Sequence, residues 1–138
     1  MNLHMKRLWQ SLAGLPTWVK FWLVILASTN MASLAFLDTD TGLWTAASFM
    51  IVGMFNMPTM FVQGGLTRLL SLPHFVWVPL LIHLYSKLFG PYAMLHTGPE
   101  YILALSVFVV NSISLMFDTL ESFRWLVGRR EILGLRQS

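Results

Sequence analysis

The chain contains no cysteine, which excludes disulfides, thiolate catalysis and cysteine-ligated metals or clusters, and leaves the redox compartment open. Charge is scarce as well. Only 11% of the 138 residues are charged, against about 25% in an ordinary globular domain. No charged side chain occurs from Phe21 to Leu37, and none from Leu43 to Thr67. Catalytic signatures are also missing: there is no H-E-x-x-H, no glycine-rich phosphate loop and no G-x-S-x-G, so the sequence reads as non-enzymatic. Asp40-Thr41-Gly42 matches the aspartic-protease tripeptide but occurs once, and that chemistry needs two carboxylates sharing a proton.

What the chain has instead is apolar surface. Hydrophobic residues make up 56% of it, and uncharged stretches of such length are candidates for crossing a bilayer. Four apolar stretches, at about 18–37, 43–64, 72–90 and 100–122, each approach the ~20 residues that a ~30 Å hydrocarbon core requires. Turn formers separate them in "LDTDTG", "QGGLTRLLSLP" and "GPYAMLHTGPE". Trp18, Trp22, Trp44, Trp77, Tyr92, Tyr101 and Trp125 fall near the proposed ends, where amphipathic rings favour the headgroup layer. The positive "MKRLWQ" followed by an apolar run resembles a signal peptide with a cleavage point near Ala32 or Ala35; the run is read here as the first span. The fold expected is an all-α integral membrane protein: one domain over 1–138, a four-helix bundle in antiparallel up-down order, with a basic tail from 123 onward.

Two readings compete for 72–90, which carries Pro73, Pro79, His83 and Lys87. It is either a crossing helix bent at Pro79, which removes an internal hydrogen bond, or a re-entrant hairpin. Charge decides between them. With four crossings, Lys6, Arg7, Lys20, Arg68, Arg124, Arg129, Arg130 and Arg136 share one side, leaving only Lys87 near the other. A hairpin would put the terminal basic clusters on opposite faces, against the positive-inside bias. Both termini are therefore expected in the cytoplasm, with a bacterial inner membrane as the setting and Asp38, Asp40 and Glu100 facing outward. The tail mixes Leu, Ile and Trp with arginines, and reads either as an interfacial helix on the anionic leaflet or as a frayed terminus that sets topology.

Counting residues from the ends of each stretch puts Asn30, Asn56, His83 and Asn111 near mid-depth. An unpaired polar group in hydrocarbon costs roughly 2–7 kcal/mol, so these four are expected to face inward, with Asn56 and Asn111 as partners of His83. Two roles are open to the cluster: interhelical hydrogen bonds that fix packing, or the lining of a site for a proton, an ion or a small polar solute. Small residues support packing, with Ser28, Ala32 and Ala35 striped along the first stretch and Gly42 paired with Ala46 on the second.

Ala104, Val107, Asn111, Ser114, Asp118 and Glu121 follow helical spacing along one face of the last stretch. A carboxylate as deep as Asp118 needs a partner. Arg68 is the expected one, in a cytoplasmic-side charge group with Asp118 and Glu121, and with Lys20 and Arg124 as rivals. Metal and haem are not expected. His74 and His83 are nine residues apart and point to different sides of one helix, while Met54, Met57 and Met60 have no nearby His or Cys and read as flexible packing. No cofactor and no nucleic acid are implied, because the basic residues are placed for membrane orientation. Two functions follow: a structural or accessory subunit that contacts lipid, other membrane chains or its own copies, or else a small channel or transporter lined by the Asn/His cluster. The absence of an internal repeat gives no support to an inverted-repeat transporter.

Overall fold

Glycines, prolines and hydroxyl caps set where each helix begins and stops, and the apolar runs between them set how far it extends. A computed structural model describes residues 2–135, so Arg136, counted above among the basic residues of one side, lies outside the described residues. All regular structure among the described residues is helical. α1 (Leu3–Gly14) and α2 (Thr17–Met31) are followed by a short 3₁₀ extension, Ala32–Phe36. α3 (Asp40–Gln63) comes next, then a 3₁₀ stretch, Arg68–Val76, leading into α4 (Trp77–Leu88) and finally α5 (Pro99–Leu126).

Four segments are long and apolar enough to cross a membrane: Thr17–Phe36, Asp40–Gln63, Arg68–Leu88 and Pro99–Leu126. Each sequence-derived stretch coincides with one of them, to within a few residues at most ends. α3 starts where Thr39 accepts a hydrogen bond from the Gly42 N–H at 3.0 Å, satisfying one of the donors that a helix start leaves open. It stops at Gly64, whose φ of 67° is a conformation that glycine adopts without a Cβ penalty.

The third segment departs from a regular α-helix. Pro79 lies in the first turn of α4, where a missing N–H costs little, and the irregular part precedes it as nine residues of 3₁₀ helix containing Pro73. This changes the depth scale. At ~2.0 Å per residue that stretch covers ~18 Å, as much as the whole of α4 at ~1.5 Å per residue. The midpoint of the segment is therefore near Trp77, and His83 is ~9 Å beyond it.

The core lies between α4 and α5, with Leu26 of α2 and Val52 of α3 closing it. Trp77, Leu80, Leu84, Ala104 and Val107 are almost wholly enclosed. The inward face of α5 runs Leu103, Ala104, Val107, Asn111, Ser114, Asp118 and Ser122. Its period carries Ser122 inward in place of the expected Glu121, which is half-buried. α1 was not expected as an element. It packs Leu8 and Ser11 against the bundle.

Among the described residues the tail beyond Leu126 forms no helix. The chain turns after Leu126 and returns to α1, where the Leu133 N–H donates to the Leu66 carbonyl at 2.7 Å. Ser11 joins the three parts: its hydroxyl donates to the Leu133 carbonyl at 2.6 Å and accepts from the Leu66 N–H at 3.0 Å.

Candidate functional site

The polar side chains fall into three groups at different heights, and the expected single cluster is split: Asn30 and Asn111 form one group, His83 joins a second, and Asn56 lies apart from all three. The central group is an amide pair. Asn30 Nδ2 donates to Asn111 Oδ1 at 2.8 Å and Asn111 Nδ2 donates back to Asn30 Oδ1 at 3.0 Å. The second Asn30 proton goes to the Leu26 carbonyl at 2.9 Å. Both side chains are fully buried, and the reciprocal bonds join α2 to α5. We expect Asn30→Leu and Asn111→Leu each to cost about 1–2 kcal/mol in detergent. The double variant should lose less than the sum, because either single change strands the other amide. Strict additivity in an unfolding titration would mean that the two amides are uncoupled.

Asn56 belongs elsewhere. Its Nδ2 donates to the Leu70 carbonyl at 3.1 Å, tying α3 to the 3₁₀ stretch. His83 has moved furthest from expectation. It sits at the end of the bundle where α3 begins, with Nε2 at 2.7 Å from Asp40 Oδ2 and its ring stacked on Trp44 with centroids 4.4 Å apart. Lys87 Nζ reaches the same Asp40 oxygen at 2.5 Å and lies 3.9 Å from Glu100. The expected His83–Asn56 and His83–Asn111 contacts do not form, because the segment runs from Arg68 to Leu88, earlier than expected and with a 3₁₀ first part, and so leaves His83 away from the middle. The spacing held a signal for the actual arrangement. Asp40 and Trp44 are four apart on one helix, as are His83 and Lys87 on another, so each pair presents one face.

The third group gathers at the opposite end, around Arg68. Its Nε lies 2.6 Å from Glu121 Oε2, and its Nη1 pairs with Glu131 of the returning tail. Arg124, one turn along α5, holds the other Glu121 oxygen at 2.6 Å. The expected Arg68–Asp118 pair is replaced. Asp118 Oδ1 is 3.2 Å from His74 Nδ1, and Asp118 Oδ2 accepts from the Ser114 hydroxyl at 3.3 Å. The reason is reach: the 3₁₀ stretch begins at Arg68, so the arginine meets Glu121 at the helix end, while His74 lies further along, at the depth of Asp118. His74, whose ring stacks on Trp77 at 4.4 Å, was passed over in the sequence because it lacked a second histidine. Its nearness to Asp118 in depth was the usable clue. Glu131 was not singled out, since nothing local shows that a tail folds back.

Beside this group lies a cavity of about 440 Å³, lined by Trp18 and Trp22 of α2, Ser114, Phe117, Asp118 and Glu121 of α5, and His74 and Arg68. A groove of about 470 Å³ lies outside the bundle, between Ser28, Ala32 and Phe36 on one side and Ile102, Leu103 and Ser106 on the other. The Ser28–Ala32–Ala35 stripe is exposed on that exterior. Among the described residues, no three His, Asp or Glu side chains converge as metal ligands would. Compared with protein families, with curated proteins and with solved structures, the chain matches none.

Proposed function

We propose that this chain is a non-enzymatic multi-pass membrane protein that works as a structural or accessory subunit, assembled with other membrane chains or with copies of itself. One observation carries the reading: the small-residue stripe Ser28, Ala32 and Ala35 is exposed outside the bundle, and Ser28 and Ala32 line a groove there. Small residues let helix backbones approach closely in lipid, where apolar burial alone gives no drive to associate. A stripe of that kind inside the bundle would serve the chain's own packing; outside, it suits a helix from another chain.

The bundle interior supports the same reading. The Asn30–Asn111 pair is spent on its own hydrogen bonds and Trp77, Leu80 and Val107 are enclosed, which supports a packed interior. The transport alternative relied on a lining by Asn30, Asn56, His83 and Asn111, and these side chains are at three separate heights. The arrangement proposed is four crossings in antiparallel up-down order, bent ahead of and through Pro79, in a bacterial inner membrane with both termini cytoplasmic. The basic residues near Arg68 and at the chain ends favour that side.

Because the chain has no cysteine, single cysteines report cleanly. Thr39→Cys and Thr97→Cys are expected to react with an impermeant maleimide from outside the cell, and Arg130→Cys only after the membrane is opened. Protection of Thr97→Cys would point to a re-entrant third segment, and outside labelling of Arg130→Cys would reverse the orientation. For assembly, Ala32→Cys should give discrete disulfide-linked species in native membranes, while Val62→Cys, equally exposed on α3, should not. A chain that stays monomeric and uncrosslinked in membranes, or that carries proton flux into vesicles, would overturn the subunit reading.

A further inference from the structure

The cavity beside Arg68 has two unlike walls. One is aromatic: Trp18 and Trp22 on α2 stand with ring centroids 6.3 and 6.4 Å from that of Phe117 on α5. Trp18 and Phe117 are exposed and form the rim. The other wall is polar, with Ser114, Asp118, Glu121 and His74 beside Arg68 and Arg124. Towards the bundle centre the lining includes Leu26, whose carbonyl accepts from Asn30.

The charges on the polar wall do not balance evenly. Glu121 holds both Arg68 and Arg124, and Arg68 also holds Glu131. Asp118 is different. Among the described residues no lysine or arginine lies within ion-pair distance of it. Its contacts are His74 at 3.2 Å and the Ser114 hydroxyl at 3.3 Å, although the residue is 8% exposed. A carboxylate so far removed from water is costly unless a cation accompanies it. Each of its oxygens keeps a lone pair beyond the one contact it makes.

We propose that this cavity binds a monovalent lipophilic cation, an organic ammonium or phosphonium, with its charge at Asp118 and its apolar body against Trp18, Trp22 and Phe117. Aromatic faces attract cations through the ring quadrupole, most strongly where water is excluded, and a carboxylate opposite them supplies the counter-charge. An anion fits poorly, because both arginines are already held by glutamates. A metal ion fits poorly as well, because among the described residues no three His, Asp or Glu side chains converge as ligands. A proton alone needs none of the 440 Å³. The inference does not depend on the assembly reading, since the cavity lies within one chain.

Binding of radiolabelled tetraphenylphosphonium to the full chain in maltoside micelles, measured by equilibrium dialysis, tests this. Saturable binding at one site per chain is expected, with none for tetraphenylborate, an anion of the same shape. Asp118→Asn should weaken binding about tenfold or more, and Trp22→Leu about three- to tenfold. Should Asp118→Asn fail to fold, Trp22→Leu carries the same test with every ion pair in place. Added phosphatidylethanolamine or phosphatidylcholine that competes with the probe would identify a lipid amine as the occupant. Lack of competition would identify a free cation. No saturable binding above protein-free micelles, equal binding of the borate, or unchanged affinity in the folded variants would overturn the proposal.

Discussion

Arg68→Gln is expected to lower the stability of the bundle in detergent by about 3 kcal/mol, close to what removal of one partner from a buried ion pair costs. Arg68 bonds to α5 and to the tail together. Its Nε meets Glu121 at 2.6 Å, its Nη1 meets Glu131, and the same nitrogen reaches the Arg129 carbonyl at 3.5 Å. Glutamine keeps some of the volume and removes the charge, leaving Glu121 half-buried with Arg124 alone. The partner can be identified by double-variant cycles. Arg68→Gln with Glu121→Gln should lose clearly less than the sum of the single losses, whereas Arg68→Gln with Asp118→Asn should be near additive, since Asp118 faces His74. The reverse pattern would mean that Arg68 bonds to Asp118 after all.

The same contact makes tail docking depend on pH. The hydrogen bond from Arg68 holds the Glu131 carboxyl below its ordinary value of 4.5. A carboxylate with a depressed folded pKa adds stability that is fully present above its unfolded value and fades as pH falls through the folded one. The tail should therefore stay docked from neutrality down to about pH 4.5 and loosen below it. Protease nicking after Val127, followed across acid pH, measures this. In Arg68→Gln the Glu131 contribution should be smaller, since only a backbone hydrogen bond and the Arg129 charge are left to lower the carboxyl.

Gly42→Ala should cost a similar amount, about 3 kcal/mol, at the upper end for overpacking a filled site. The local preference runs the other way, because alanine is favoured over glycine inside a helix by about 1 kcal/mol. What decides is the Phe36 backbone. An added Cβ at Gly42 would fall on the Phe36 carbonyl and come within 2.8 Å of the Phe36 Cβ, so the first turn of α3 and the 3₁₀ end of α2 would have to part. The Thr39 hydroxyl, which donates to the Phe36 carbonyl at 2.7 Å, would be displaced with them. Gly53→Ala is the control: it lies in the same helix with nothing within 4 Å of an added Cβ, and should be neutral or slightly stabilising. Equal effects at both glycines in thermal unfolding would rule out the close approach.

The sequence by itself determined how many helical segments are long and apolar enough to cross a membrane, and where they lie. The solvent sets that length: a run without charge from Leu43 to Thr67 has few other places to go. It also showed which face of α5 turns inward, since Ala104, Val107, Asn111, Ser114 and Asp118 repeat at the helical period. Only the tertiary structure decided which polar groups meet. Depth counted in residues becomes depth in ångströms only if the rise per residue is known, and the 3₁₀ stretch at Arg68–Val76 changed it. The segment also begins at Arg68, four residues ahead of the expected start, and together these differences put His83 at Asp40, His74 at Asp118 and Arg68 at Glu121. The remaining surprise, Ser11 bonded to Leu133 across nearly the whole chain, has no local signal, because a hydrogen bond between distant residues depends on where the bundle brings the two ends of the chain.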